Sequence, residues 1–158
     1  MRHYGRMEIG FWLAILLLIL IGIISMARGE DCWAMCQPDS WVNIRESPGR
    51  SRVIGYLQLG DQVNAGRTKN GYTHIRGSYT DSGEGWVASG YLVDDAPQIE
   101  TVRAWVDAEG RVACRRSIGG GRRKWLHGGD ELVLYASSAE WSVTSEGFVK
   151  TELILAER

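Results

Sequence analysis

Beyond residue 40, hydrophobic positions fall in short runs, alternating or apolar, each cut off by glycine or a polar turn. Runs of this length and period predict strands. They are Val53–Leu57, Gln62–Gly66, Tyr72–Arg76 and Glu84–Ala88, then Lys124–His127, Glu131–Ala136, Trp141–Thr144 and Gly147–Lys150. Asn70-Gly71 between the second and third runs is a hairpin signal, because a tight two-residue turn needs positive φ at both positions. No run carries the spacing of an amphipathic helix.

One stretch breaks the pattern. Ile9 to Ala27 is an uncharged, apolar segment of 19 residues, long enough at helical rise to cross a bilayer core. Arg2 and Arg6 precede it, and positive charge on the short N-terminal side favours keeping that side in the cytoplasm. The expectation is a cytoplasmic segment over 1–8, a transmembrane helix or uncleaved signal anchor over 9–27, and the rest of the chain outside the cell. Ser25-Met26-Ala27 also offers the small residues of a signal-peptide cleavage site, so secretion after cleavage near Ala27 is the alternative. The apolar run nearly abuts that site, which favours the anchor. Gly29-Glu30-Asp31 is charged where a lipidation site at Cys32 would need small apolar residues.

The outer part says one passage twice. Val42-Asn43-Ile44-Arg45 leads through Ile54-Gly55-Tyr56-Leu57, Gly60-Asp61-Gln62-Val63 and Gly71-Tyr72-Thr73-His74-Ile75 to Gly85-Trp86-Val87 and Tyr91-Leu92. After an offset of about seventy residues, Val112-Ala113-Cys114-Arg115 opens a second version. It passes Trp125-Leu126, Gly129-Asp130, Trp141 and Gly147-Phe148-Val149 to Leu153. Internal repetition at a fixed offset fixes an architecture of two like units. The predicted boundaries are 31–93 for the first, 94–100 for a polar linker around Asp94-Asp95-Ala96-Pro97, and 101–156 for the second.

Composition agrees with small all-β units. Twenty glycines and seven tryptophans against three prolines suit short strands joined by tight turns. Lys+Arg (18) and Asp+Glu (19) nearly balance, which disfavours a nucleic-acid partner. Closing a short sheet into a barrel protects its edges. The fold class expected is therefore all-β, two small barrels in tandem behind one membrane helix.

Val42-Asn43-Ile44-Arg45, Ser47-Pro48, Leu59-Gly60-Asp61, Gly71-Tyr72-x-x-Ile75 and Gly85-Trp86-Val87 with Tyr91-Leu92 resemble the bacterial SH3 (SH3b) family over about Cys36 to Val93. The second unit is a divergent match: Ser117-Ile118-Gly119 stands in place of the Ser-Pro turn, and Phe148 in place of the tryptophan. The resemblance implies SH3-like barrels that read ligands and do not catalyse, commonly beside cell-wall hydrolases and on peptidoglycan peptides or other wall polymers.

On that resemblance Tyr72 and Tyr91 are groove aromatics, with Tyr56 and Tyr79 as further ligand-binding candidates on flanking loops. Trp86 reads as a core residue. Glu152 stands near the Tyr91 position of the second unit, so the first unit is expected to read the ligand. A second candidate is the cluster Arg115, Arg116, Arg122, Arg123 and Lys124, which would hold an anionic polymer through screened attraction. Its bland reading is a solvated loop near Asp130 and Glu131.

The cysteines form no catalytic motif. In one extended strand Cys32 and Cys36 lie about 13 Å apart, beyond disulfide reach, whereas a turn between them would bring them close enough to pair. At the seventy-residue offset Cys32, Ala34 and Cys36 lie over Val102, Ala104 and Val106, and Cys114 over Ile44, all small core positions. His74 and His127 form no motif with a cysteine, and the spacing suits no metal. The expectation is a non-enzyme without cofactor or metal, displayed outside a bacterial cell to bind peptidoglycan or a wall polymer. The alternative is a scaffold subunit that docks an exported protein in an envelope, secretion, phage or conjugation system.

Overall fold

A computed structural model describes residues 29–157. The expected cytoplasmic segment 1–8 and membrane span 9–27 lie outside the described residues. Among the described residues, no helix is long and apolar enough to cross a membrane.

The described chain is all-β, with two single 3-10 turns at Ser89–Tyr91 and Thr151–Leu153. The first sheet contains β1 (Glu30–Ala34), β2 (Val42–Arg45), β3 (Val53–Leu57), β4 (Gln62–Lys69), β5 (Tyr72–Arg76), β6 (Glu84–Ala88) and β7 (Leu92–Val93). The second contains β8 (Gln98–Val106), β9 (Arg111–Arg115), β10 (Arg122–His127), β11 (Glu131–Ser137), β12 (Trp141–Thr144), β13 (Gly147–Lys150) and β14 (Ile154–Ala156). The strand orders are β3-β2-β6-β5-β4-β1-β7 and β10-β9-β13-β12-β11-β8-β14. The second sheet thus repeats the first strand for strand.

The repeated residues explain the repeated turns. Gly60 and Gly129 take φ of 85° and 86°, a region open to glycine at no steric cost. The next residue's carboxylate then closes the turn: Asp61 accepts from the Gln58 N–H at 2.7 Å and Asp130 from the His127 N–H at 2.8 Å. Asn70 and Gly71 have φ of 52° and 75° and join β4 to β5 with Lys69 opposite Tyr72, the hairpin that the sequence predicted. Arg45 donates to the Ser51 carbonyl at 2.6 Å, and Arg115 donates to the Gly120 carbonyl at 2.8 Å. Each guanidinium ties down its own β2–β3 or β9–β10 loop.

Strand pairing corrects the repeat alignment at its start. Trp33 pairs with Val93 as Trp105 pairs with Leu155, so Cys32 corresponds to Ala104 and Ala34 to Val106. The displacement arises because the first unit has six residues (36–41) between Met35 and Val42, where the second has four (108–111) between Asp107 and Val112.

Each unit has its own core. Cys32, Val42, Ile44, Leu57, Val63, Ile75 and Val87 fill the first, and Val106, Val112, Cys114, Leu126, Leu132 and Val149 fill the second. A third cluster joins them: Met35 and Val93 pack with Ala136, Trp141, Val143 and Phe148, flanked by Trp33, Leu59, Tyr91, Ile118 and Tyr135. The longer 36–41 loop crosses the boundary here, with Gln37 Nε2 donating to the Thr144 and Ser145 carbonyls at 2.9 and 3.1 Å. Ile118 N–H donates to the Gly90 carbonyl at 2.8 Å, and Ala139 N–H to Asp95 at 2.6 Å. β8 takes in Gln98–Glu100, the last three residues of the expected linker. The two units therefore pack directly, and every residue of β12 is buried, because both faces of that strand are covered.

Candidate functional site

β6 sends Val87 into the first core and turns Trp86 to the opposite, outer face of the sheet. Trp86 is only 7 % exposed, buried as the sequence reading expects, although it stands on the other face from the inner cluster around Val87. Two side chains cover it. His74, directly opposite on β5, stands edge-on at 5.0 Å between ring centroids. Arg67 lies over the indole at 5.5 Å, within the range of a cation–π contact. β4 delivers Arg67 through a register break between Ala65 and Thr68 that puts two residues opposite His74. Such a bulge re-aims a side chain.

Around this stack runs a groove. A cleft of about 480 Å³ is bounded by Glu46 and Arg52 on the β2–β3 loop, Asp81 and Ser82 on the β5–β6 loop, and Trp86 beneath. A second cleft of about 870 Å³ shares Arg67, His74 and Glu84 and continues past Arg76 to Asn64 and Asp94. The walls carry both signs: Arg52, Arg67 and Arg76 against Glu46, Asp81, Glu84 and Asp94. His74 Nε2 is 3.5 Å from the Glu84 carboxylate, an ion pair when the imidazole is protonated. Such a lining can engage separated carboxylate and ammonium groups over the Arg67–His74–Trp86 stack.

The predicted tyrosines do not converge on this groove. Tyr72 shares the outer face with His74 by strand alternation and is half-buried, but it lines neither cleft. Tyr91 packs edge-to-face on Phe148 at the boundary between the units. Tyr56 is exposed on β3 and stands edge-on to Trp41 at 5.8 Å. Tyr79 packs on the first core and donates to the Gln62 carbonyl at 3.1 Å; burial, with Asp61 nearby, pushes its phenol pKa up. Arg67, His74, Glu46, Arg52 and Glu84 were missed. They come from separate strands and loops, and the one sequence signal is the Gly66-Arg67 pair that forms the bulge.

The basic cluster is likewise redistributed. Arg115 is the loop tie described above, and Lys124 is ion-paired with Glu146. Arg122 lies over the Trp125 ring at 4.5 Å, and Arg111 at 5.2 Å. Arg116 and Arg123 are exposed. In the second unit the 3-10 turn places Leu153, not Glu152, at the Tyr91 position, since Met35 N–H donates to the Tyr91 carbonyl as Asp107 N–H does to that of Leu153.

All three cysteines are free and buried. Burial, with help from a hydrogen bond to Asp94, pushes the Cys32 thiol up to about 12. Burial also raises Cys36 and Cys114. Neutral thiols of this kind are poor nucleophiles. Among the described residues no group of His, Cys, Asp and Glu is placed to hold a metal.

The bacterial SH3 domain family model matches residues 40–93, the span that holds the groove floor and both flanking loops. No curated protein matches the chain. Two solved structures, NlpC1 and NlpC2 from Trichomonas vaginalis, are similar at 13 % and 12 % identity with TM-scores of 0.34. Each alignment covers 81 % of this chain but 46 % and 48 % of theirs, so the chain spans just under half their length.

Proposed function

We propose that this chain is a non-catalytic binding protein held at the outer face of a bacterial membrane by residues 9–27. It displays two SH3-type barrels, and the first reads peptidoglycan through the groove over Trp86. The observation that carries the reading is a groove of mixed charge over the Arg67–His74–Trp86 stack, inside the segment that matches the bacterial SH3 domain. The second barrel is inferred from the strand-by-strand repetition of the first sheet. A peptidoglycan stem peptide is short and carries both carboxylates and an amine. Its carboxylates complement Arg52 and Arg67, and its amine complements Glu46, Asp81 and Glu84. Steric and chemical selectivity would come from the two loops, and affinity from contact with the Arg67 and His74 side chains that Trp86 holds in place.

The test is sedimentation of the protein with purified sacculi, with and without teichoic acids, at low and high salt. The proposal expects binding to stripped sacculi, and its loss in Arg67→Glu with His74→Ala. Absence of binding to every cross-bridge type would refute it. Binding lost only with the teichoic acids would move the site to Arg122, Arg123 and Trp125.

A second reading, a scaffold that docks another exported protein, is favoured by the Trp41–Tyr56 pair, residues that are 62 % and 55 % exposed. Recovery of one stoichiometric partner from membranes, lost in Trp41→Ala and independent of sacculi, would support it.

A further inference from the structure

The contact between the two units has a second, unused copy. At the boundary, the end of the first unit formed by Trp33, Met35, Tyr91 and Val93 meets the outer face of the second sheet at Ala136, Trp141, Val143 and Phe148. Strand pairing assigns every one of these positions a counterpart. Opposite β6 and β13, His74 corresponds to Val143, Trp86 to Phe148 and Tyr72 to Trp141. The two bulges then match Arg67 with Ala136. The face of the second unit that receives the first unit is therefore the counterpart of the groove over Trp86. At the other end, Trp105, Asp107, Leu153 and Leu155 correspond to Trp33, Met35, Tyr91 and Val93. Among the described residues that end is only partly covered: Trp105 and Leu153 are half-buried, and Leu155 is 59 % exposed, where Val93 is 7 %.

We propose that the Trp105–Leu155 end of one chain docks into the Trp86 groove of a second copy, so that chains associate head to tail. The aromatic elements persist, with Trp105 and Trp86 taking the places of Trp33 and Phe148. The remaining differences are complementary. Asp107 replaces Met35 on the docking end, while Arg67 and His74 replace Ala136 and Val143 on the receiving face. An apolar contact within the chain thus becomes a charge-paired contact between chains. Neither Asp107 nor Arg67 has an ion-pair partner among the described residues. Gly128 stands where Leu59 flanks the internal contact, so the contact between chains has less apolar area and is the weaker and more reversible of the two. The interface is heterologous, joining two different patches. It uses the groove assigned above to peptidoglycan but not that ligand, so crowding of chains on a membrane and binding to the wall exclude each other at one site.

The experiment is sedimentation velocity of the full chain in detergent, over a range of protein concentrations. Concentration-dependent association that weakens with salt is expected of the unmodified chain. Asp107→Arg and Arg67→Asp should each weaken it by about tenfold or more, as loss of one member of a charge pair does. Mixing the two variants should restore it, because each end then faces the opposite charge. Both positions are exposed, and rescue in the mixture itself demonstrates folding. A monomeric unmodified chain, or variants whose mixture is no better than either alone, would overturn the proposal. Sacculus binding that survives in such a monomeric chain would remove this inference and leave the peptidoglycan reading standing.

Discussion

Tyr91 stands edge-to-face on Phe148, ring centroids 5.9 Å apart at 70°, across the boundary between the two sheets. The tyrosine that resemblance marked as a groove aromatic packs at the boundary and fastens one unit to the other. Phe148 occupies the position of Trp86, so the second unit's groove is filled from within the chain while the first unit's stays open.

Phe148→Ala should cost about 3 to 5 kcal/mol, the range for truncating a buried aromatic, and Tyr91→Ala somewhat less. The double variant should show a coupling of about 0.5 to 1.5 kcal/mol beyond area burial. Urea unfolding of the four proteins measures it. Strict additivity would mean that the two rings do not support each other.

Gly85 lies against the first core, where a Cβ would meet Ile44 Cγ2 at 2.4 Å and the Arg45 carbonyl at 3.2 Å. Gly147, its counterpart, adds a φ of 135° and a Cβ position 2.5 Å from the Arg115 carbonyl. Gly85→Ala should lower stability by about 1 to 3 kcal/mol through overpacking, and Gly147→Ala by more. Gly121→Ala, with open space around it, should be near neutral. Thermal melts of the three variants check the order.

The Cys32 thiol is held neutral, with its pKa raised from 9.0 to about 12. An unfolded chain ionises this thiol first, so the stability it contributes is full below pH 9 and is lost as pH rises towards 12. The slope from this group is at most about 1.4 kcal/mol per pH unit. Cys32→Ala should flatten the decline of the urea midpoint between pH 9 and 11, measured against the parent chain. An unchanged slope would assign the alkaline loss to other groups.

Lys124→Ala should leave binding to teichoic-acid-bearing sacculi unchanged, because that ammonium is already paired with Glu146. Arg122→Glu with Arg123→Glu should weaken binding only if the wall polymer is anionic, and added salt should mimic the loss. Sedimentation on sacculi with and without teichoic acids separates the two.

Much of the fold was legible in the chain. β3, β5, β6, β12 and β13 have the limits that their hydrophobic runs predict, because glycine or a polar turn ends each run. β1, β2, β7, β8, β9 and β14 were not among the predicted strands. β1 and β8, Glu-Asp-Cys-Trp-Ala and Gln-Ile-Glu-Thr-Val-Arg-Ala-Trp-Val, begin on exposed, largely polar residues and bury only their last turns of the pleat. The groove was the least legible part. Trp86 looks like core beside Val87, and only strand alternation places it on the other face. Arg67 and His74 reach it through a bulge, which shifts register without any strong sequence mark. The Arg115 to Lys124 cluster misled in a different way: counting charges along the chain cannot show that Glu146 and the Gly120 carbonyl already engage two of them.

The most direct test of the groove assignment is NMR titration of residues 29–157, the described residues with both sheets, with a soluble disaccharide–peptide fragment of peptidoglycan. The account predicts saturable shifts at the Trp86 indole N–H, the His74 ring and the Arg67 and Glu84 amides, with Trp125 and Trp141 unmoved. Shifts confined to Trp125 and the arginines beside it, or none at any concentration, would contradict it.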